Sequence, residues 1–156
     1  MLEIDIPGFG IVRAEHLVSD FTGTLSLDGK LLAGIEERLQ KISEILKIHI
    51  VTSDTFGLAR SELKAVKCTL NILSGVDHDL QKEDYVKKLG PEKVIAIGNG
   101  KNDSQMLKAA RIGIAVSEGE GCAVHALKNA DIHVRSIGEG LDLLLHPDRL
   151  KATLRF

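Results

Sequence analysis

The run Val94-Ile-Ala-Ile-Gly98 carries no polar side chain, and it limits the fold more than any other stretch of the chain. A strand with one wet face alternates polar and apolar residues. An unbroken apolar run belongs to a strand covered on both faces, as in a parallel sheet packed between helices. Strands are also expected at Leu17–Phe21, Ile48–Thr52, Lys67–Leu73, Ile112–Val116 and Asp131–Val134. Helical spacing lies between them. From Gly34 to Leu46, Ile35, Leu39, Ile42 and Leu46 recur among Glu and Lys, which makes an amphipathic helix. Asp79 can cap a helix running to about Leu89, with Gly90 as its left-handed stop and Pro91 just beyond. Helices are further expected at Thr55–Leu63, Ser104–Ala110, Cys122–Asn129 and near Leu141–Leu145. Residues 2–6 and Ile11–Arg13 flank the turn Pro7-Gly8-Phe9-Gly10 and read as a short hairpin. Ser26-Leu-Asp-Gly-Lys30 reads as a second, smaller hairpin or flap. The alternation predicts an α/β fold: a doubly wound, mostly parallel sheet preceded by a short N-terminal hairpin. One domain spanning residues 1–156 is the expected organisation, because nothing in the sequence marks a linker.

The formal net charge of −2 gives no electrostatic reason to expect nucleic acid, and aromatic content of 3% without Trp leaves little for stacking bases. Cys68 and Cys122 lie far apart in apolar surroundings and fit no zinc pattern; they read as reduced thiols. The six histidines form no H-x-H or H-E-x-x-H group. No apolar run approaches the roughly 20 residues needed to cross a bilayer, and the N-terminus has no basic, apolar leader. A cytoplasmic protein without membrane contact is the expectation.

Asp20-Phe-Thr-Gly-Thr-Leu25 follows the first apolar strand, so a carboxylate stands at a strand tip where the chain turns. In open α/β sheets that edge is where ligands bind. A strand followed by an Asp-Gly turn uses the same residues, and this stretch alone does not separate the two readings. Three further segments matter because of their order. Thr52 ends the strand Ile48–Val51 and can donate its hydroxyl to a phosphate; simply ending a strand is its commoner role. Lys82 stands in the first turn of the helix after Asp79 and can reach the same edge, although most such lysines are solvated. Gly98-Asn-Gly-Lys-Asn-Asp103 puts the oxygen donors Asn99, Asn102 and Asp103 in one turn, which suits a hard cation; it could equally be a tight connection capped by Asn102. Carboxylate, hydroxyl, lysine and acidic turn fall at the same edge of successive units, and together they point to one site.

These segments resemble the motifs of the haloacid-dehalogenase-like (HAD) superfamily. Asp20-Phe-Thr-Gly-Thr24 is similar to its first motif, Asp-x-(Asp/Thr)-Gly-Thr, and closer still to the Asp-Lys-Thr-Gly-Thr of P-type ATPases. Thr52-Ser53-Asp54 corresponds to their Thr-Gly-Asp, Lys82 to the helix lysine, and Gly98–Asp103 to Gly-Asp-Gly-x-Asn-Asp. The similarity continues through Leu107–Ala115 and Ala130–Val134 and covers roughly residues 15–140. It implies a Rossmann-like fold and a Mg²⁺-dependent phosphatase that forms an aspartyl-phosphate on Asp20. It further implies phosphate binding by Gly23, Thr52, Ser53 and Lys82, with metal binding by Asp20, Thr22, Asn99 and Asp103. Asn102 and Asp54 would support these from behind. Only short segments separate Leu25 from Thr52 and Phe56 from Gln81, so no cap or nucleotide-binding domain is inserted. The expected molecule is a free-standing, P-type-ATPase-like phosphatase, with a phosphorylated small molecule or macromolecule as substrate. A homo-oligomer is one way of covering its open site.

Two residues depart from the family pattern. Thr22 stands where many HAD phosphatases carry an aspartate acting as general acid and base, assistance worth about 10²–10⁴-fold. Asn99 stands where a metal-binding aspartate is usual and brings no charge to a cation. The alternative expectation is therefore a weak or inactive domain that serves as a regulatory or binding module.

Overall fold

The computed structural model describes residues 1–156. An antiparallel hairpin of β1 (Leu2–Ile6) and β2 (Gly10–Ala14) comes first. Strand β3 (His16–Ser19) then leads to the small flap β4 (Ser26–Leu27) and β5 (Lys30–Leu31). There follow α1 (Ile35–Ser43), β6 (Lys47–Thr52), α2 (Ala59–Glu62), β7 (Thr69–Ile72) and α3 (His78–Leu89). The second half contains β8 (Val94–Gly98), α4 (Ser104–Ala109), β9 (Ile112–Val116), α5 (Val124–Asn129) and β10 (Ile132–Val134). Helices α6 (Ile137–Leu145) and α7 (Pro147–Leu154) complete it.

Six strands form one sheet in the order β10-β9-β8-β3-β6-β7, and every neighbouring pair is parallel. The apolar runs are buried as their composition requires: every residue of β3, β8 and β9 is buried, whereas the edge strand β7 is only half covered. Ile48, Ile50, Ile95 and Ile97 face the layer made by α1, α6 and the N-terminal hairpin. Val18, Val51, Val94 and Ala96 face α3, α4 and α5, where Val86, Met106, Leu107 and Ala126 meet them. From β3 the chain winds outward through β6 and β7, then returns to the other side of β3 for β8, β9 and β10. The direction of winding thus reverses at β3, and a crevice opens at the C-terminal ends of β3 and its neighbours. No domain is inserted over it, and no helix is long and apolar enough to cross a membrane.

The structure differs from the expected elements where local chemistry was overlooked. The helix expected at Thr55–Leu63 shrinks to α2, because Asp54 and Gly57 adopt φ of 52° and 68°, values that no helix tolerates. Helix α6 starts well before Leu141, since Ser136 accepts a hydrogen bond from the Glu139 amide at 3.2 Å, a Ser-x-x-Glu start signal. Helix α7, absent from the expectation, begins on Pro147 and buries Leu150. Asp77, rather than Asp79, occupies the cap position of α3, and Gly90 ends it at φ 93°, ψ 100°, outside the left-handed helical region.

Two buried histidines meet beneath the α3 face of the sheet. His16 Nδ1 on β3 lies 2.9 Å from His49 Nε2 on β6, and His49 Nδ1 lies 2.9 Å from the Tyr85 hydroxyl on α3. Burial first, then His16 and Lys47, push the His49 imidazole down to about 4, and burial also lowers His16. Folding therefore favours the neutral ring of His49. Its contribution to stability is complete above the ordinary value of about 6.5 and is lost as pH falls through about 4. Melting temperature should fall as pH drops across that window, and the slope should be shallower in His49→Leu. Equal slopes in a pH series by scanning calorimetry would remove His49 as the cause.

Candidate active site

Asp20 stands one residue past β3, its amide still donating to Ile97 of β8 at 3.1 Å. The chain then coils around one atom: the Phe21 carbonyl accepts from the amides of Thr24, Leu25 and Ser26 and from the Ser26 hydroxyl. The Phe21 ring is fully buried and anchors the turn in the core. Gly23, at φ 78°, packs so close to Asn99 that an added Cβ would lie 2.6 Å from Asn99 Nδ2. The amide of Gly23 donates to the Ser26 carbonyl at 3.0 Å. That amide is therefore already engaged within the turn, and what Gly23 visibly contributes is close approach to Asn99. The Thr22 carbonyl accepts none of the turn's hydrogen bonds, and the Thr22 hydroxyl is buried without a partner.

Lys82 arrives from the first turns of α3, fully buried, with Nζ 2.8 Å from Asp20 Oδ1 and 2.7 Å from Asp103 Oδ1. The other oxygen of Asp103 accepts from the amides of Asn99 and Gly100, at 3.0 and 2.8 Å. Both oxygens of Asp103 are therefore engaged within the protein, and its carboxylate holds the turn and the lysine together. This arrangement needs a glycine at 98, since a Cβ there would sit 2.5 Å from Asp103 Cγ. Thr52 is fully buried at the tip of β6, and its Oγ1 accepts from the Asp54 amide at 3.0 Å, which leaves its own proton to donate. Asp54 turns away to receive the Ala59 amide at 3.0 Å, shaping the loop before α2, and Ser53 pairs with Thr55 at 3.3 Å. Asn102 faces a cleft between α3 and α5 that is also lined by His78, Lys101 and His125.

The residue that sequence reasoning passed over is Thr24. Its hydroxyl lies 3.3 Å from Asp20 Oδ2 and 3.2 Å from Asn99 Oδ1, so it stands between those two oxygens. Asn99 Nδ2 donates to Gly121 at 3.0 Å, which keeps Oδ1 turned toward Asp20. Thr24 was visible in the motif itself, but a hydroxyl's direction is not.

Two buried carboxylates face one ammonium. Burial, and then the charge of Asp103, raise the Asp20 carboxyl to about 7 against the opposing pull of Lys82. Burial alone would lower Lys82, but the charges of Asp103 and Asp20 outweigh it and hold it above the ordinary lysine value. The uncompensated negative charge and the free Thr22 carbonyl beside Asp20 suit a small, hard cation, and Asn99 Oδ1 lies on the far side of the Thr24 hydroxyl from Asp20 Oδ2 as a further oxygen donor. No group of three acidic, histidine or cysteine ligands surrounds the place.

This is a parallel α/β protein with an aspartate, a buried lysine and an oxygen-rich turn gathered where the strand order reverses. It belongs to the HAD superfamily, and residues 80–134 match the family described as haloacid dehalogenase-like hydrolase. An uncharacterized protein of Methanocaldococcus jannaschii is 49% identical over 73 residues, 46% of this chain and 78% of that protein. A probable copper-exporting P-type ATPase of Archaeoglobus fulgidus is 29% identical over 106 residues, 67% of this chain but only 13% of the pump. Among solved structures, the Moraxella catarrhalis 3-deoxy-D-manno-octulosonate 8-phosphate phosphatase, bound to magnesium, phosphate and its sugar, superposes with a TM-score of 0.70. It shares 20% identity, over 91% of this chain and 94% of that one, a likeness of fold.

Because folding raises the Asp20 carboxyl, its favourable contribution is complete below the unfolded value of 3.8 and is lost as pH rises through about 7. Asp20→Asn should therefore stabilise the metal-free protein at pH 8 by about 0.5–2 kcal/mol, with a smaller gain at pH 5. Urea unfolding in EDTA at the two pH values tests this. No gain at pH 8 would mean that the buried charge is compensated by something other than what is described here.

Proposed function

We propose that this chain is a Mg²⁺-dependent phosphatase of the P-type-ATPase-like kind, acting on a phosphate monoester through an aspartyl-phosphate on Asp20. The observation that carries the reading is the buried Asp20–Lys82–Asp103 triad at the reversal point of a HAD fold. Phosphoryl transfer needs little covalent help from a protein; it needs positioning and charge neutralisation. An Asp20 carboxylate oxygen attacks phosphorus in line while the bond to the leaving oxygen breaks, and water later releases phosphate from Asp20. Lys82, already within hydrogen-bond reach of Asp20, and the Thr52 proton neutralise and orient the phosphoryl oxygens. Asp20, the Thr22 carbonyl and Asn99 would hold Mg²⁺, which when bound supplies positive charge to both the carboxylate and the phosphoryl group. Thr22 cannot move a proton near neutral pH, so the leaving oxygen takes its proton from solvent and good leaving groups are favoured. The open crevice suits a phosphate carried on a larger molecule, or a second copy of the chain as lid. Leu27 on the flap, Phe56 and Val76 on loops and Val124 at the start of α5 are exposed apolar side chains available to either.

A second reading, a phosphate-sensing module with little turnover, is favoured by one observation: Asn99 supplies no charge to the cation.

The test is hydrolysis of para-nitrophenyl phosphate with and without Mg²⁺. Wild type should turn over only with metal, and Asp20→Asn should lose at least about 10³-fold, the scale of removing a covalent nucleophile. Activity that is absent, or that survives the substitution, rejects the enzyme reading. In the same assay Asn99→Asp should lower the Mg²⁺ concentration needed for half-maximal rate by about tenfold, the size of one well-placed charge–charge contact. An unchanged magnesium titration would take Asn99 off the metal.

A further inference from the structure

We propose that Tyr85, His49 and His16 form a hydrogen-bonded strut that sets the position of Lys82, and hence the rate of the phosphoryl-transfer step. The proposal rests on the phosphatase reading above. The strut joins the three elements that carry the site. His16 lies on β3, four residues before Asp20; His49 lies on β6, three before Thr52; Tyr85 lies on α3, three after Lys82. Side chains two apart on a strand share a face, so His16, Val18 and Asp20 all project toward α3, as do His49 and Val51. Residues three apart on a helix are surface neighbours, so Tyr85 and Lys82 point at the same sheet. The links are 2.9 Å from His16 to His49 and 2.9 Å from His49 to Tyr85. Between strut and site lies a thin apolar layer of Val18, Val51 and Val86.

Weak apolar anchoring makes the strut consequential. Helix α1 buries Ile35, Leu39 and Ile42, whereas α3 fully buries only Val86 besides Lys82. One buried valine supplies about 1.5–3 kcal/mol, and the partly buried Tyr85 and Leu89 add to it, so α3 rests on a narrower apolar footing than α1 and leans more on its polar contacts. Lys82 cannot hold the helix alone, because its own partners, Asp20 and Asp103, are the groups it must be aligned with. The Tyr85–His49 bond fixes the helix one turn further along, on a strand that also ends in the site. With both rings neutral, a single direction of donation satisfies all three groups, Tyr85 to His49 and His49 to His16, or the reverse. Either direction keeps the buried nitrogens paired, so removing the phenol hydroxyl leaves His49 Nδ1 without its partner and loosens the helix. A misplacement of about 1 Å at a reacting group can lower the rate by about 10²-fold, so a fraction of that shift at Lys82 is enough to register.

Tyr85→Phe removes only the hydroxyl, and His49→Leu removes the middle of the strut. In the Mg²⁺-dependent aryl phosphatase assay, well below the melting temperature, each should lower kcat by about 3–20-fold with KM within about twofold. The double variant should be no slower than the worse single one, because both break the same connection. Amide hydrogen exchange by mass spectrometry should show faster exchange across residues 78–89 in Tyr85→Phe, with the β8–β9 region unchanged. If His49→Leu fails to fold, Tyr85→Phe decides alone. Wild-type kcat together with wild-type exchange in α3 overturns the strut. So does a loss confined to KM, or faster exchange throughout the chain. If wild type itself hydrolyses nothing, the phosphatase reading fails, and exchange across residues 78–89 then upholds or overturns the strut as the support of Lys82.

Discussion

The Lys82 ammonium, buried between the carboxylates of Asp20 and Asp103, is the interaction on which the rest of the site depends. A lone buried ammonium or carboxylate is too costly to keep charged, and stranding one typically costs about 3–5 kcal/mol, a penalty that neutralising Asp20 avoids because Lys82 keeps Asp103. The three groups therefore hold one another in place. Asp103 is further fixed by two backbone amides of its own turn, and Asp20 by the hydrogen bond its amide makes to β8. The chain accepts an excess of negative charge at the centre of its sheet, which favours the arrival of a cation over a well-balanced resting state. Stability and chemistry are in tension there, as expected of a site prepared for a charged ligand.

Much of this was legible in the sequence. The continuous apolar runs of β8 and β9 admit little besides a sheet covered on both faces, and their alternation with Ile35–Leu46-like periodicity gives the doubly wound arrangement. Asp20, Thr52, Lys82 and Asp103 could be placed at one edge because each follows or opens an element whose direction is known. Legibility ended where side-chain direction decides the chemistry. Nothing in Gly98–Asp103 shows that Asp103 folds back beneath Gly98 to receive two amides, or that Gly23 spends its amide on Ser26. The loop at residues 53–58 was misread because Thr55–Leu63 has helical composition, while the positive φ of Asp54 is a tertiary outcome. The Ser136–Glu139 start signal, by contrast, was present in the sequence and overlooked.

The histidine pair shows the limit from the other side. His49 interrupts the apolar run of β6, and His16 opens β3. Thirty-three positions separate them, so no spacing rule couples them. Parallel pairing of β3 with β6 sets His49 opposite Val18 and brings the two rings together. A sequence pattern records what one element needs; a contact between neighbouring strands exists only after the topology is fixed.

The position of β3 also governs how the molecule can assemble. This strand lies between β6 and β8, and its register partners in β8 come from the other half of the chain. Closing that long loop costs entropy before the pairing is made, a cost that local contacts such as the hairpin do not bear. Until it forms, Asp20 is held away from Lys82 and Asp103, and the triad is incomplete. A partly folded chain can therefore contain helices, the hairpin and the β3–β6 pair, yet hold no reaction centre, so activity reports on completion of the whole sheet.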